Sequence, residues 1–306
     1  MELRKRAKQK GWSLNEYDFQ GDDETVILPE VNDEADIYSA LGLDFIPPEL
    51  RENRGEIEAA EKGEIPKLIV LENLRGTFHN HTTASDGRNS LEEMAEAAID
   101  LGLEYLGIAD HSKSSFQANG LYADRLLRQV VEIRKLNENK AWDGKFKILA
   151  GSEVDILKDG SLDFPDEVLK QLDYCVASVH NAFTLPEDEM TARIIRAMEN
   201  EYVTILGHVT GRLLLKRNPY AVNVDKIIDC AAETGTVIEL NCNPMRLDMD
   251  WRHWKKAKEK GVKCSINPDA HRTEQLQYLS YGVRLARKGW LTKDDVINTK
   301  NLSEIE

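Results

Sequence analysis

Six of the seven histidines in this 306-residue chain fall in short clusters with carboxylates or alone at the ends of apolar runs. They are His79-Asn80-His81 with Asp86, Asp110-His111, His180, His208 and Asp269-Ala270-His271, and Glu153 ends a further run. In a strand, residues i and i+2 point to one face, so His79 with His81, and Asp269 with His271, each offer two donors to one side. Imidazole and carboxylate donors in this mixture suit Zn²⁺, Mn²⁺ or Fe²⁺ and not Ca²⁺. The candidate ligands are His79, His81, Asp86, His111, Glu153, His180, His208, Asp269 and His271. That is too many for one ion; with one bridging carboxylate they serve three divalent ions. Three such ions carry +6, and Asp86, Glu153 and Asp269 offset 3 of it. The pocket stays positive, as a phosphate ester requires. A water held on such ions becomes a nucleophile, since a single enzyme-bound Zn²⁺ can lower its pKa from about 15.7 to about 7. His253, in a Trp-rich stretch, stands apart and reads as a surface or packing residue.

The clusters close short apolar runs at 75–80, 105–109, 148–153, 174–179, 203–207, 237–241 and 264–267. Helical spacing fills much of the chain between them, as at 91–101, 122–137 and 224–234. Ser90 with Glu93 predicts a capping box, and Gly102 predicts the end of the same helix. Strands alternating with helices predict a parallel sheet, and seven units suffice to close a barrel. Parallel barrels carry their sites at the C-terminal ends of the strands, where these groups would converge. Asp110 reads either as an orienting group for a ligand histidine or water, or as a helix cap. Lys113, Arg212, Arg246 and Arg272 lie past strand ends or in rim loops and are candidate phosphate contacts.

Residues 1–73 read differently. They are highly charged, with one short apolar run at 26–28, a helix signal at 33–41, a Pro47-Pro48 turn and a charged helix at 49–61. No catalytic cluster occurs there, which predicts an appendage with a small core before a catalytic domain at 74–306. Lys plus Arg is 40 and Asp plus Glu is 54, so the net charge is −14. An acidic chain does not bind nucleic acid through its bulk field, so an anionic substrate needs a local positive centre. No apolar stretch approaches the roughly 18 residues of a membrane span, and the basic residues 1–10 lack the apolar segment of a secretory signal. Cys175, Cys230, Cys242 and Cys264 form no close pair and read as buried, reduced thiols of a cytoplasmic protein.

These motifs together resemble the PHP (polymerase and histidinol phosphatase) family. The resemblance rests on His79-Asn80-His81 with Asp86, Asp110-His111, Gly151-Ser152-Glu153, Ser178-Val179-His180, Gly207-His208 and Asp269-Ala270-His271. It implies a distorted (β/α)7 barrel over residues 74–306 with a trinuclear metal centre. By the same matching, the first metal takes His79, His81, Glu153 and Asp269. The second takes Glu153, His180 and His208, with Glu153 bridging, and the third takes Asp86, His111 and His271; the nucleophile so implied is a metal-bound water held at Glu153. Some members carry His where Asp86 stands, and an oxygen donor there implies a shift toward Mn²⁺.

The chain is more specifically similar to the C-terminal region of bacterial and archaeal family X DNA polymerases. Residues 3–7, 15–17, 36–43 and 46–51 resemble the end of that polymerase core and its linker. Asp110-His111-Ser112 with residues 118–121, and Asn243-Pro244 with Arg246-Leu247-Asp248, resemble its barrel loops. The palm carboxylates of such a core are expected upstream of residue 1, so no polymerase activity is expected of these residues. The resemblance implies a 3′–5′ exonuclease acting on DNA 3′ ends. Two alternatives stay open: a small-molecule phosphomonoesterase of the histidinol phosphatase kind, and a structural or regulatory metal-binding module.

Overall fold

The structure, a computed structural model, describes residues 2–21 and 25–305. The chain divides after Lys67 into two compact units.

The first unit holds α1 (Glu2–Gln9), the antiparallel pair β1 (Trp12–Leu14) and β2 (Phe19–Gly21), α2 (Glu34–Ala40) and α3 (Glu56–Lys62). Helix α2 starts at a capping box: Asp36 N donates to Asp33 Oδ1 at 3.1 Å, and Asp33 N to Asp36 Oδ2 at 3.2 Å. The apolar run at 26–28 forms no strand, and Ile27 is 89% exposed. One expectation fails here. The helix expected at 49–61 begins only at Glu56. Asn53 and Gly55 adopt positive φ, and the Glu56 carboxylate accepts from Asn53 N and Arg54 N at 2.6 Å each, making a turn of what composition reads as helix.

The second unit alternates strands and helices. In order they are β3 (Gly76–Thr77), α4 (Leu91–Asp100), β4 (Tyr105–Ile108), α5 (Ala123–Lys140), β5 (Lys147–Ala150), β6 (Glu153–Asp155), α6 (Asp166–Leu169) and β7 (Val176–Ser178). Then come α7 (Glu187–Met198), β8 (Ile205–Leu206), α8 (Val224–Thr234), β9 (Val237–Asn241), α9 (Trp254–Glu259), β10 (Cys264–Asn267), α10 (Leu279–Lys288) and α11 (Leu302–Ile305). Helix α4 has the expected cap: Ser90 N donates to Glu93 Oε2 at 2.8 Å and Glu93 N to Ser90 Oγ at 3.2 Å. It stops where Gly102 takes φ +76°. Its buried stripe is Leu91, Met94, Ala95 and Ala98, the i, i+3, i+4, i+7 spacing of a core-facing helix. Burying Met94 alone is worth roughly 1.5–3 kcal/mol.

Every strand pair in this unit is parallel, in two sheets of order β3-β4-β5 and β10-β9-β8-β7-β6. The described residues show no closed sheet, so the seven-stranded barrel is met only as parallel α/β layering. One of the two openings lies in the third apolar run. It ends its pairing with β4 at Ala150 and resumes at Glu153 on β7. Gly151 makes the break possible, since a Cβ there would lie 2.4 Å from the Tyr174 ring. Isolated parallel bridges, Asn80 to Ala270 and His111 to Glu153, join the sheets near the strand ends.

The main core lies between strands and helices. A second cluster, including Phe78, Tyr105, Leu149, Tyr174 and Val176, fills the other face of the strands. The four cysteines are buried and unpaired, and no helix among the described residues is long and apolar enough to cross a membrane.

Candidate metal centre

All nine expected ligands converge where the strands end. The segment after β3 carries His79 and His81, both fully buried, with ring centroids 5.1 Å apart. His79 Nδ1 lies 2.6 Å from Glu239 Oε1, which turns Nε2 toward the centre, 3.3 Å from Glu153 Oε2. His81 Nε2 is 3.2 Å from Asp269 Oδ1 and 3.7 Å from Glu153 Oε2. His111 Nδ1 stands 3.0 Å from Glu153 Oε2. His180 Nε2 and His208 Nε2 stand 3.2 Å and 2.8 Å from Glu153 Oε1. Asp86 Oδ1 is 3.4 Å from His271 Nε2 and 3.7 Å from His111 Nε2.

The donor atoms gather into three sets, each with all atoms within 4.8 Å of one another: His81, Asp86, His111 and His271; His79, His81 and Asp269; and His111, Glu153 and His180. The second set implied by the resemblance has His208 beside Glu153 and His180; here His111 takes that place, with His208 hydrogen-bonded to Glu153.

The residues fit divalent metals on a specific ground. His79 Nε2, both nitrogens of His81, and His111 Nδ1 are buried without a hydrogen-bond partner. A buried polar atom left unpaired costs about 1–3 kcal/mol, and native interiors rarely tolerate several together. A neutral imidazole carries one lone pair, so these three rings offer three ligating positions among carboxylates, the donors that a transition metal takes. The electrostatics agree. Burial alone would raise the Glu153 pKa, yet His180, His79 and His111 hold it well below the usual range. Burial would depress His79, yet Glu239, Glu153 and Asp269 hold it well above its ordinary value. His81 is pushed down to about 4 by burial and by His271 and His111.

Sequence reasoning missed two buried carboxylates that set the histidines. Glu239, in the middle of β9, fixes His79 as described and also accepts from His208 N at 2.7 Å. Asp155 accepts from Ser115 Oγ at 2.7 Å and lies 3.1 Å from His180 Nδ1. Such carboxylate–histidine contacts fix the tautomer and the ring orientation of a ligand. The available signals were a lone Glu inside an apolar run and an acid two residues after Glu153 on the same strand face.

Asp110 bonds elsewhere than expected. It accepts from Thr82 N at 2.8 Å, Thr82 Oγ1 at 2.6 Å, Ser85 Oγ at 2.5 Å and Gln129 Nε2 at 2.6 Å. It therefore holds the 82–86 loop that delivers Asp86, and it caps no helix.

A cavity of about 390 Å³ opens on this centre, lined by six of the nine ligands and by Arg246. Arg246 Nε is 3.2 Å from Asp269 Oδ2, and its Nη1 is buried without a partner. The other three candidate cations do not line the cavity. Lys113 Nζ donates to the Asp163 carbonyl at 2.6 Å. Arg212 donates to the Arg246 and Leu247 carbonyls and to Asp250, so it braces the segment that carries Arg246. Arg272 Nε lies 3.9 Å from Glu274 Oε2. His253 sits in the 3₁₀ turn Trp251–His253, outside the donor sets.

The pattern of the PHP domain matches residues 77–243, and that of the DNA polymerase beta thumb matches residues 1–52. The chain is 42% identical over 309 residues to a Bacillus subtilis (strain 168) protein named DNA polymerase/3′-5′ exonuclease PolX, covering 100% of this chain and 53% of that protein. The chain thus spans about half of that relative's length. It is 31% identical over 232 residues to a Thermoanaerobacter sp. (strain X514) protein named "Probable phosphatase", covering 72% of this chain and 89% of that one. Two solved structures share the fold. One is hisK of Listeria monocytogenes, with TM-score 0.54 and 15% identity over 66% of this chain and 97% of that one. The other is the histidinol phosphate phosphatase of Lactococcus lactis in complex with zinc, L-histidinol and phosphate, with TM-score 0.50 and 16% identity over 70% of this chain and 93% of that one. On the domain match and these relatives, the chain belongs to the PHP domain family.

Proposed function

We propose that this chain is a metal-dependent phosphoesterase acting on DNA 3′ ends as a 3′–5′ exonuclease. The observation that carries the reading is a full set of nine converging donors, six of which line one cavity, on a chain that also bears a polymerase thumb pattern. In this reading residues 1–73 are the remnant of a polymerase core with its linker. Residues 74–306 are the catalytic domain, a distorted (β/α)7 barrel whose seam is bridged at Asn80–Ala270 and His111–Glu153. Four buried, unpaired thiols fit a reducing cytoplasm.

Three ions, Zn²⁺, Mn²⁺ or Fe²⁺, would be held by these nine donors, with Glu153, whose carboxylate faces His79, His81, His111, His180 and His208, as the carboxylate shared between them. Bound there, divalent ions acidify a water for attack on phosphorus and neutralise charge on the phosphate. The protein supplies the rest. Arg246 directs its unpartnered Nη1 as a donor for a non-bridging phosphate oxygen, and Asp269 holds the guanidinium through Nε. Glu239 and Asp155 keep His79 and His180 in single orientations, so their donor atoms are set before substrate arrives. Asp110 fixes the loop that carries Asp86.

The second reading, a small-molecule phosphomonoesterase, is favoured by the Thermoanaerobacter relative, which aligns with 72% of the chain. One experiment separates the two. A 5′-labelled single-stranded oligonucleotide and histidinol phosphate are incubated in parallel with the chain in Mn²⁺ buffer, with metal-stripped protein as control. A ladder shortening from the 3′ end, abolished by His81→Ala, is the expected result. Phosphate release from the monoester alone would establish the phosphatase, and turnover unaffected by His81→Ala would refute catalysis at this centre.

A further inference from the structure

We infer that Phe116 is the stacking platform for the terminal nucleobase of the substrate, an inference that rests on the exonuclease reading above. Phe116 is 76% exposed, yet it lines the same cavity as Asp86, Glu153, Asp269 and Arg246. No aromatic ring or cation among the described residues stacks on it. A phenylalanine contributes to folding by burying its ring, so one left out at the mouth of a polar cavity gains the fold little.

Its backbone, by contrast, is firmly held. Ser115 N donates to the Ser112 carbonyl at 3.0 Å, Asn119 N to the Phe116 carbonyl at 3.1 Å, and Leu121 N to the His111 carbonyl at 2.7 Å. Ser114 N and Oγ both donate to the Asp163 carboxylate at 2.7 Å. Asn119, at φ +54°, donates through Nδ2 to the Ala84 carbonyl at 3.1 Å, tying this loop to the one that carries Asp86. Gly120 lets the loop close on itself, because a Cβ there would lie 2.0 Å from the Ser112 carbonyl oxygen. Ser115 Oγ bonds Asp155, the carboxylate that also orients His180, so the backbone that carries the ring is in register with the metal centre.

An exposed aromatic ring on a held backbone has only two side-chain torsions to order, so it costs little conformational entropy when it binds a ligand. The ligand it suits has a phosphate for the cavity and a flat π surface attached. Every nucleobase has such a face, so stacking tolerates any sequence, as an enzyme that removes successive nucleotides must.

The test compares kcat/KM for two single-stranded oligonucleotides that differ only in whether the 3′-terminal nucleotide carries a base or an abasic tetrahydrofuran. The wild-type chain should prefer the base-bearing end by about tenfold or more, the size of one base–aromatic stack. Phe116→Ala should erase the preference through KM, and Phe116→Trp should keep it. A 2-aminopurine placed at the 3′ end should be quenched in the wild-type complex and not with Phe116→Ala. An undiminished preference in Phe116→Ala, or no preference in wild type, overturns the inference while leaving the exonuclease reading intact. Hydrolysis of histidinol phosphate with no cleavage of either oligonucleotide overturns that reading itself, and the platform with it.

Discussion

Replacing Glu239 by glutamine removes no metal donor, yet it should loosen the whole centre. Glu239 Oε1 meets His79 Nδ1 at 2.6 Å and Asn267 Nδ2 at 3.0 Å, while Oε2 meets His208 N at 2.7 Å and Asn241 Nδ2 at 3.2 Å. All of these partners donate, so both oxygens must accept. A glutamine has one accepting oxygen and one donating NH₂ group. If the NH₂ faces His79, the imidazole must accept at Nδ1 and carry its proton on Nε2, the atom that faces Glu153 at 3.3 Å. Protonated there, His79 cannot ligate. If the NH₂ faces His208 instead, a buried backbone N–H loses its acceptor, at about 1–3 kcal/mol. Loss of such an outer carboxylate typically weakens metal binding 10–100-fold, or roughly 1.4–2.7 kcal/mol. The assay is Zn²⁺ affinity by competition with a chromophoric chelator, together with thermal unfolding with and without metal. The variant should bind Zn²⁺ at least about tenfold more weakly and gain less stability from it. Affinity within about twofold of wild type would refute the argument that Glu239 fixes the His79 tautomer.

Two further outcomes test the scaffold. Gly107→Ala places a Cβ 2.5 Å from Tyr174 Oη and 2.8 Å from Phe78 Cα, so β4 must shift against its neighbours. Overpacking of this kind costs about 1–3 kcal/mol, and a urea midpoint equal to that of wild type would refute the close fit. Asp295 accepts from Thr292 N at 2.8 Å and Thr292 Oγ1 at 2.7 Å, and it pairs with Lys258 Nζ at 2.8 Å. Burial would raise its pKa, but Lys258 and Thr292 hold it below the usual value. A depressed carboxylate stabilises the fold above its unfolded pKa of about 3.9 and loses that contribution as pH falls through its folded value. Asp295→Asn should therefore cost about 1 kcal/mol at pH 7 and progressively less below about pH 4. Urea melts at both pH values report this, and a gap independent of pH would sink it.

Much of the site was legible because its rules are short-ranged. The i, i+2 pairing of His79 with His81 and the Ser90–Glu93 box depend only on local chain geometry. Strands β9 and β10 and helix α8 fall where apolar runs and helical spacing put them, since burial on both faces leaves a continuous apolar signature. The misses are of the opposite kind. The third run reads as one strand, but it changes partners around Gly151, where the Tyr174 ring, from the segment before β7, packs against that glycine. The helix expected at 49–61 is cut short by the Glu56 carboxylate turning back on Asn53 and Arg54.

Residue type and strand-end position are local properties, so the groups able to bind metal, and roughly where each sits, are legible along the chain. Which cation faces the cavity, and which acids hold the histidines, depends on contacts that the fold makes between distant segments. Lys113, Arg212, Arg246 and Arg272 look alike along the chain, yet only Arg246 lines the cavity. His79 takes its orientation from Glu239, which lies 160 residues away. A side chain's direction is set by partners that the fold brings to it, and no local pattern records who those partners are.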